Sequence, residues 1–134
     1  MSKRYTIAVD FDGVLHSYTT PWINAHTIPD EPVVGAIQWL WNMLQDFDVI
    51  IHSTRCKTWR GRIAVRRWLK QHAGNLYYEC MVGPGLEDVI LTHKKLPALV
   101  YIDDRAYRFM GPGTFPSVQA IHQLRPWNKP KEPR

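Results

Sequence analysis

The apolar residues alternate between short continuous runs and longer periodic stretches. Tyr5 to Val9 is an apolar, β-prone run of the kind that forms a strand buried on both faces. Asp48 to Ser53, Val89 to Thr92 and Leu99 to Ile102 repeat the pattern and predict three more strands. Between them, Val34 to Phe47 places Ile37, Leu40, Trp41, Leu44 and Phe47 at spacings of three and four, which predicts an amphipathic helix with Trp39 off the stripe. A second helix is predicted from a Thr58 cap to Ala73, with Gly74 as its stop. Its apolar members are Trp59, Ile63, Trp68 and Leu69, and its other face carries Arg60, Arg62, Arg66, Arg67 and Lys70. A last short helix is expected at Pro116–Leu124, with proline in its first turn.

Two stretches break the rhythm. His16 to Pro32 holds Pro21, Pro29 and Pro32 and reads as an irregular flap or connecting loop, pinned by Trp22 and Ile23. Asn75 to Glu87 has packing residues in Tyr77, Tyr78 and Met81 and a turn at Gly83-Pro84-Gly85, but no clear period. Strands alternating with helices predict an α/β fold, a mostly parallel sheet with helices on both faces in a three-layer Rossmann-like arrangement. In such sheets, ligands bind beyond the carboxyl ends of the strands.

The predicted strand ends carry polar residues in a fixed order: Asp10 and Asp12, Ser53, Lys94 or Lys95, then Asp103 and Asp104. Alternation sends Asp10 and Asp12 to the same side, and two like charges so placed need a cation, a shared proton or open water. A hard divalent ion such as Mg²⁺ suits an all-oxygen site of carboxylates and phosphate. Gly13 lets the chain bend sharply after the pair. The same string also serves as an ordinary turn after a strand.

Composition narrows the class. The 134 residues, 45% hydrophobic and 22% charged, describe a single globular domain over residues 1–124, and the Pro- and Lys-rich string 125–134 reads as a flexible basic tail. No apolar run approaches the ~20 residues of a membrane span. Met1-Ser2-Lys3-Arg4 leads straight into the first strand without a signal peptide, and Cys56 and Cys80 suggest neither a disulfide framework nor a zinc site, so a cytoplasmic location is expected. A net charge of +5 favours an anionic partner, although much of the excess lies in the tail.

The ordered constellation, with its hydrophobic contexts, resembles the haloacid dehalogenase (HAD) superfamily of phosphatases and phosphotransferases, from about Tyr5 to Ile121. Ser53-Thr54-Arg55 and Asp103-Asp104-Arg105 look most like the 3′-phosphatase domains of polynucleotide kinase-phosphatases, although no Gly-x-x-x-x-Gly-Lys-Ser/Thr phosphate loop is present. The resemblance implies a Mg²⁺-dependent phosphomonoesterase acting through an aspartyl-phosphate, on a substrate that includes nucleotides and nucleic-acid 3′-phosphates among its candidates. Asp10 would be the nucleophile and Asp12 the acid and base. Mg²⁺ would be held by Asp10, the main-chain carbonyl of Asp12 and the acidic pair, with Asp104 the direct ligand and Asp103 beside it. Gly13, Ser53, Thr54 and Arg55 would bind substrate, with Arg55 as a bidentate phosphate fork. Lys95 is favoured over Lys94 as the catalytic lysine because an apolar residue and proline follow it.

The 40 residues from 13 to 52 and the 41 from 54 to 94 leave little room for a folded cap domain, so an open site is expected. The arginine face of residues 60–70 would be either a solvated helix face or a track for a nucleic-acid backbone. A phospho-receiver module fits poorly, because its accepting aspartate follows a middle strand, where this chain has Ser53. A non-catalytic nucleic-acid- or phosphate-binding protein of the same fold is the alternative, which the presence of both Asp10 and Asp12 disfavours.

Overall fold

The computed structural model describes residues 4–128. Four strands, β1 (Thr6–Asp10), β2 (Asp48–His52), β3 (Ile90–Thr92) and β4 (Val100–Ile102), form one sheet in the order β3-β2-β1-β4. Every pairing is parallel, with Ile7 opposite both Val49 and Val100. The chain steps from β1 to β2 to β3 in one direction and then returns to place β4 on the far side of β1. That reversal opens a crevice between the carboxyl ends of β1 and β4.

Helices α1 (Ala36–Asp46) and α2 (Trp59–Ala73) fill the β1–β2 and β2–β3 connections. Right-handed crossovers put both on one face of the sheet. There Ile7, Val9, Val49 and Ile51 form a single core with Leu40 and Leu44 of α1 and Val65, Trp68 and Leu69 of α2. Alternation sends Ala8 and Ile50 to the reverse face, where both are buried, with Tyr101 beside Ala8 in the register. The Tyr101 hydroxyl donates to the carbonyl of Leu96, which ties the β3–β4 loop to that face. The expected second helical layer does not form among the described residues. Helix α3 (Val118–Gln123), capped by Ser117 Oγ, has all six residues exposed.

Helix α2 also departs from its predicted stripe. Trp59 and Ile63 are exposed, while Gly61, Val65, Trp68, Leu69 and Ala73 are buried. Gly61 is the reason: a Cβ there would sit 1.7 Å from the carbonyl oxygen of Arg55, so the bare backbone packs against the turn at Thr54–Lys57. The basic face is partly committed to the fold, since Arg62 donates to the Cys56 carbonyl and Arg66 to the carbonyls of Glu87 and Val89. The 75–87 region folds as 3₁₀ turns at Gly74–Tyr77 and Leu86–Asp88, and Leu86 enters the core.

Ile23 does not pin the 16–32 segment, being more than half exposed, and Trp22, half exposed, meets the body through the buried Arg55 guanidinium. Polar bonds hold it instead. Asp30 accepts from the Thr20 amide and hydroxyl, its carbonyl accepts from Trp68 Nε1, and Val33 N donates to Leu15 O. Of the expected tail, residues 125–128 are described and lie against the first loop, with Trp127 Nε1 donating to Gly13 O and Asn128 Nδ2 to Ser17 O. Residues 129–134 lie outside the described residues.

No described helix is long and apolar enough to cross a membrane. Cys56 is fully buried and its thiol is pushed up to about 11 by burial, whereas Cys80 is exposed. A thiol-specific disulfide reagent at pH 8 should therefore titrate one cysteine in the native protein and both after denaturation. Rapid reaction of both thiols under native conditions would contradict this packing.

Candidate active site

Beyond Val9 the chain leaves the sheet in a tight turn. Phe11 O accepts from the amides of Val14, Leu15 and His16, and Gly13 N donates to His16 O. Asp10 stands at the strand end with Oδ1 accepting from Phe11 N at 2.8 Å. Gly13 sits at φ +86, and a Cβ there would lie 2.3 Å from Asp104 Oδ2. Glycine is required on both counts, for the left-handed backbone and for the approach of Asp104.

Carboxylate oxygens of Asp10, Asp103 and Asp104 gather within 4.8 Å of one another. Burial, reinforced by Asp103, Asp104 and Asp12, raises the Asp10 carboxyl to about 7. Burial also raises Asp104, whose Oδ1 is buried and has no hydrogen-bond partner among the described residues. Asp103 Oδ1 accepts from Arg105 N at 2.7 Å, which turns the loop after β4. Three acids drawn together at the cost of desolvation and mutual repulsion, one with a buried lone oxygen, form a donor set suited to a hard cation.

Asp12 points its carboxylate elsewhere. Its Oδ1 accepts from His16 Nδ1 at 2.8 Å and from Arg55 Nε at 3.0 Å, and its Oδ2 accepts from Arg55 Nε at 2.9 Å. The Asp12 side chain thus stands outside the three-carboxylate group, and a metal role for it reduces to its main-chain carbonyl. Arg55 departs from its expected place as well. It is fully buried, and its Nη1 donates to the carbonyls of Asn24, Ala25 and Thr27 while its guanidinium lies 4.5 Å from the Trp22 ring centre. Arg55 therefore clamps Asp12 to the 24–27 loop and does not act as a phosphate fork. Gly13 likewise serves geometry and does not line the cleft.

A cleft of about 430 Å³ opens over these residues. Asp10, Asp12, Ser53, Thr54, Asp103 and Asp104 line it, as expected. Ser53 is buried, with its Oγ accepting from Arg55 N and its own amide donating to Thr92 O. Tyr18, Trp22, His52 and Arg105 also line the cleft. Neither Lys94 nor Lys95 does. Lys95 is exposed, with Nζ 5.4 Å from the centre of the Tyr101 ring, and that ring meets His52 edge-on at 5.7 Å. The apolar-residue-proline context of Lys95 describes a loop end, and the loop holds the side chain over Tyr101, outside the cleft lining.

Sequence reasoning gave His16 and Tyr18 no role and Trp22 only a packing one. The one available signal was a histidine four residues after Asp12 in the same turn, since an i,i+4 spacing in a compact loop brings side chains together. No protein-family model, curated protein or solved structure matches this chain.

Proposed function

We propose that the protein is a Mg²⁺-dependent phosphomonoesterase of HAD-like type, acting through an aspartyl-phosphate on Asp10. The observation that carries this reading is the convergence of Asp10 with Asp103 and Asp104 at the β1/β4 crevice, where one buried carboxylate oxygen is left unpartnered. Asp10, Asp104 and Asp103 would hold the cation, which would neutralise the clustered carboxylates and the incoming phosphoryl group.

The chain's own residues then divide the work. Asp12 rests as the carboxylate of the Arg55 pair and takes up a proton as the anionic substrate enters. An Asp10 oxygen then attacks phosphorus as the ester P–O bond breaks, and the departing oxygen takes that proton. Asp12, now a carboxylate, removes a proton from water. The water oxygen attacks phosphorus, the bond to Asp10 breaks, and inorganic phosphate leaves with Asp12 reprotonated. Ser53 and Thr54 stand in the cleft wall to donate to phosphoryl oxygens. Tyr18 and Trp22 supply a flat apolar wall, which supports a leaving group that carries a ring, such as a nucleotide. No folded cap covers the site among the described residues, so the substrate enters from solvent.

The test is hydrolysis of an aryl phosphate as a function of Mg²⁺. Chelation should abolish turnover and added Mg²⁺ restore it, and Mg²⁺ should raise the melting temperature of the wild type but not of Asp104→Asn. Turnover that is indifferent to chelator would remove the cation from the reading. One observation favours the alternative of a phosphate-binding protein without catalysis: among the described residues no lysine lines the cleft. Saturable Mg²⁺-dependent phosphate binding without turnover of any monoester would select it.

A further inference from the structure

His16 has no part in the reaction as written, yet it is fully buried beside the residue assigned to move the proton. Its ring stacks on Phe11 with centroids 5.5 Å apart and meets Trp68 edge-on. Its Nε2 lies 3.1 Å from the backbone amide of Asp30, a group that can only donate. Nε2 must then accept, which leaves the ring proton on Nδ1, 2.8 Å from Asp12 Oδ1. The backbone donor lies closer to Nε2 than the Asp30 carboxylate, whose Oδ2 is 3.6 Å away, and so sets the tautomer.

The consequence falls on the two oxygens of Asp12. Each offers about two acceptor sites. The single Arg55 Nε hydrogen is shared between Oδ1 and Oδ2, at 3.0 and 2.9 Å, so the bond from His16 Nδ1 to Oδ1 is what makes the two oxygens differ. We infer that His16 is a positioning residue: by holding Oδ1 it orients the Asp12 carboxylate in the cleft and leaves Oδ2 as the less engaged oxygen. This rests on the reading of Asp12 as acid and base, and it adds that Asp30, through its main chain, sets the tautomer on which that orientation depends.

Two near-isosteric variants separate this role from a purely structural one. An asparagine amide at position 16 can reproduce the donor at Nδ1, and a glutamine amide the group at Nε2. Each variant loses one of two hydrogen bonds, so a structural role predicts similar losses for both on every substrate. The positioning role predicts a split. His16→Gln should lower kcat/KM for an alkyl phosphate roughly ten- to hundredfold, a share of the 10²–10⁴-fold that a positioned acid supplies, while barely affecting an aryl phosphate with a good leaving group. His16→Asn should keep the wild-type dependence on leaving group.

Equal losses in the two variants, or the reverse split, would overturn the proposal. Asp12→Asn is measured in parallel. If it too is indifferent to the leaving group, the acid role fails and the proposal with it; if it shows the dependence and His16→Gln does not, only the role of His16 fails. Nitrogen-15 NMR of the wild-type histidines gives a readout without turnover. A His16 resonance pattern with Nδ1 protonated and Nε2 bare supports the assignment, and the opposite tautomer overturns it.

Discussion

Asp10→Asn is expected to abolish the proposed phosphomonoesterase turnover and at the same time to make the metal-free protein more stable at neutral pH. The first effect follows from the loss of the nucleophile, since an amide oxygen does not form the acyl-phosphate, and is expected to exceed roughly a thousandfold in kcat. The second follows from the burial that raises this carboxyl from 3.8 to about 7. The protonated form stabilises the fold fully below pH 3.8, and that contribution is lost as pH rises to about 7. At ~1.4 kcal/mol per pH unit the loss has a ceiling on the order of 4 kcal/mol, less what solvent screens. Denaturant titrations between pH 4 and 8 in the presence of chelator check it. The wild type should weaken across that window and the variant less so, because burial still raises Asp104. A variant that retains most of its rate, or an unchanged pH dependence of stability, would remove Asp10 from its place. Misfolding cannot imitate the pair of effects, because it does not raise stability.

Arg55→Ala is the most damaging single change expected outside the acidic cluster. The guanidinium holds Asp12 with Nε and three loop carbonyls with Nη1, and it braces Trp22. Removing one partner of a buried ion pair costs about 3–5 kcal/mol because the other charge is left behind. Thermal melts should show a drop on the order of 10 °C. Arg55→Lys should recover little, because an ammonium cannot reach the carboxylate and the 24–27 carbonyls in one plane. Asp12→Ala combined with Arg55→Ala should cost less than the two single changes summed, since neither charge is then stranded. Strict additivity would mean that the pair is not energetically linked.

Arg55 also shows where the sequence is legible and where it is not. The β1 run and its acidic end are written locally: five successive residues choose a strand, and the next three choose a charged turn. The same holds for β2 and its Ser53 terminus, and for α1 within two residues at its start. The convergence of Asp10 with Asp103 and Asp104 could be anticipated because parallel strands share one direction, so their carboxyl ends share one edge. Arg55 is different. Its partner is 43 residues away, and an arginine two residues after a strand-end serine looks the same in sequence whether it meets a ligand or a buried aspartate. The inner face of α2 was hidden for a related reason. Gly61 is a contact made by absence of a side chain, which hydrophobic periodicity does not register. The place of Lys95 outside the cleft was hidden because its local context fixes a loop end but not where that loop sets the side chain, here over the Tyr101 ring. His16 was legible only as a spacing, and its role came from an amide on a distant proline-rich segment.

The space beside Gly13 has a consequence for how this protein tolerates change. A single methyl at that position would compete for the volume that Asp104 Oδ2 occupies, 91 residues later in the chain. A position beside the cleft that contributes no functional group thus constrains the acidic cluster, and the latitude of the second loop is set by an empty volume in the first.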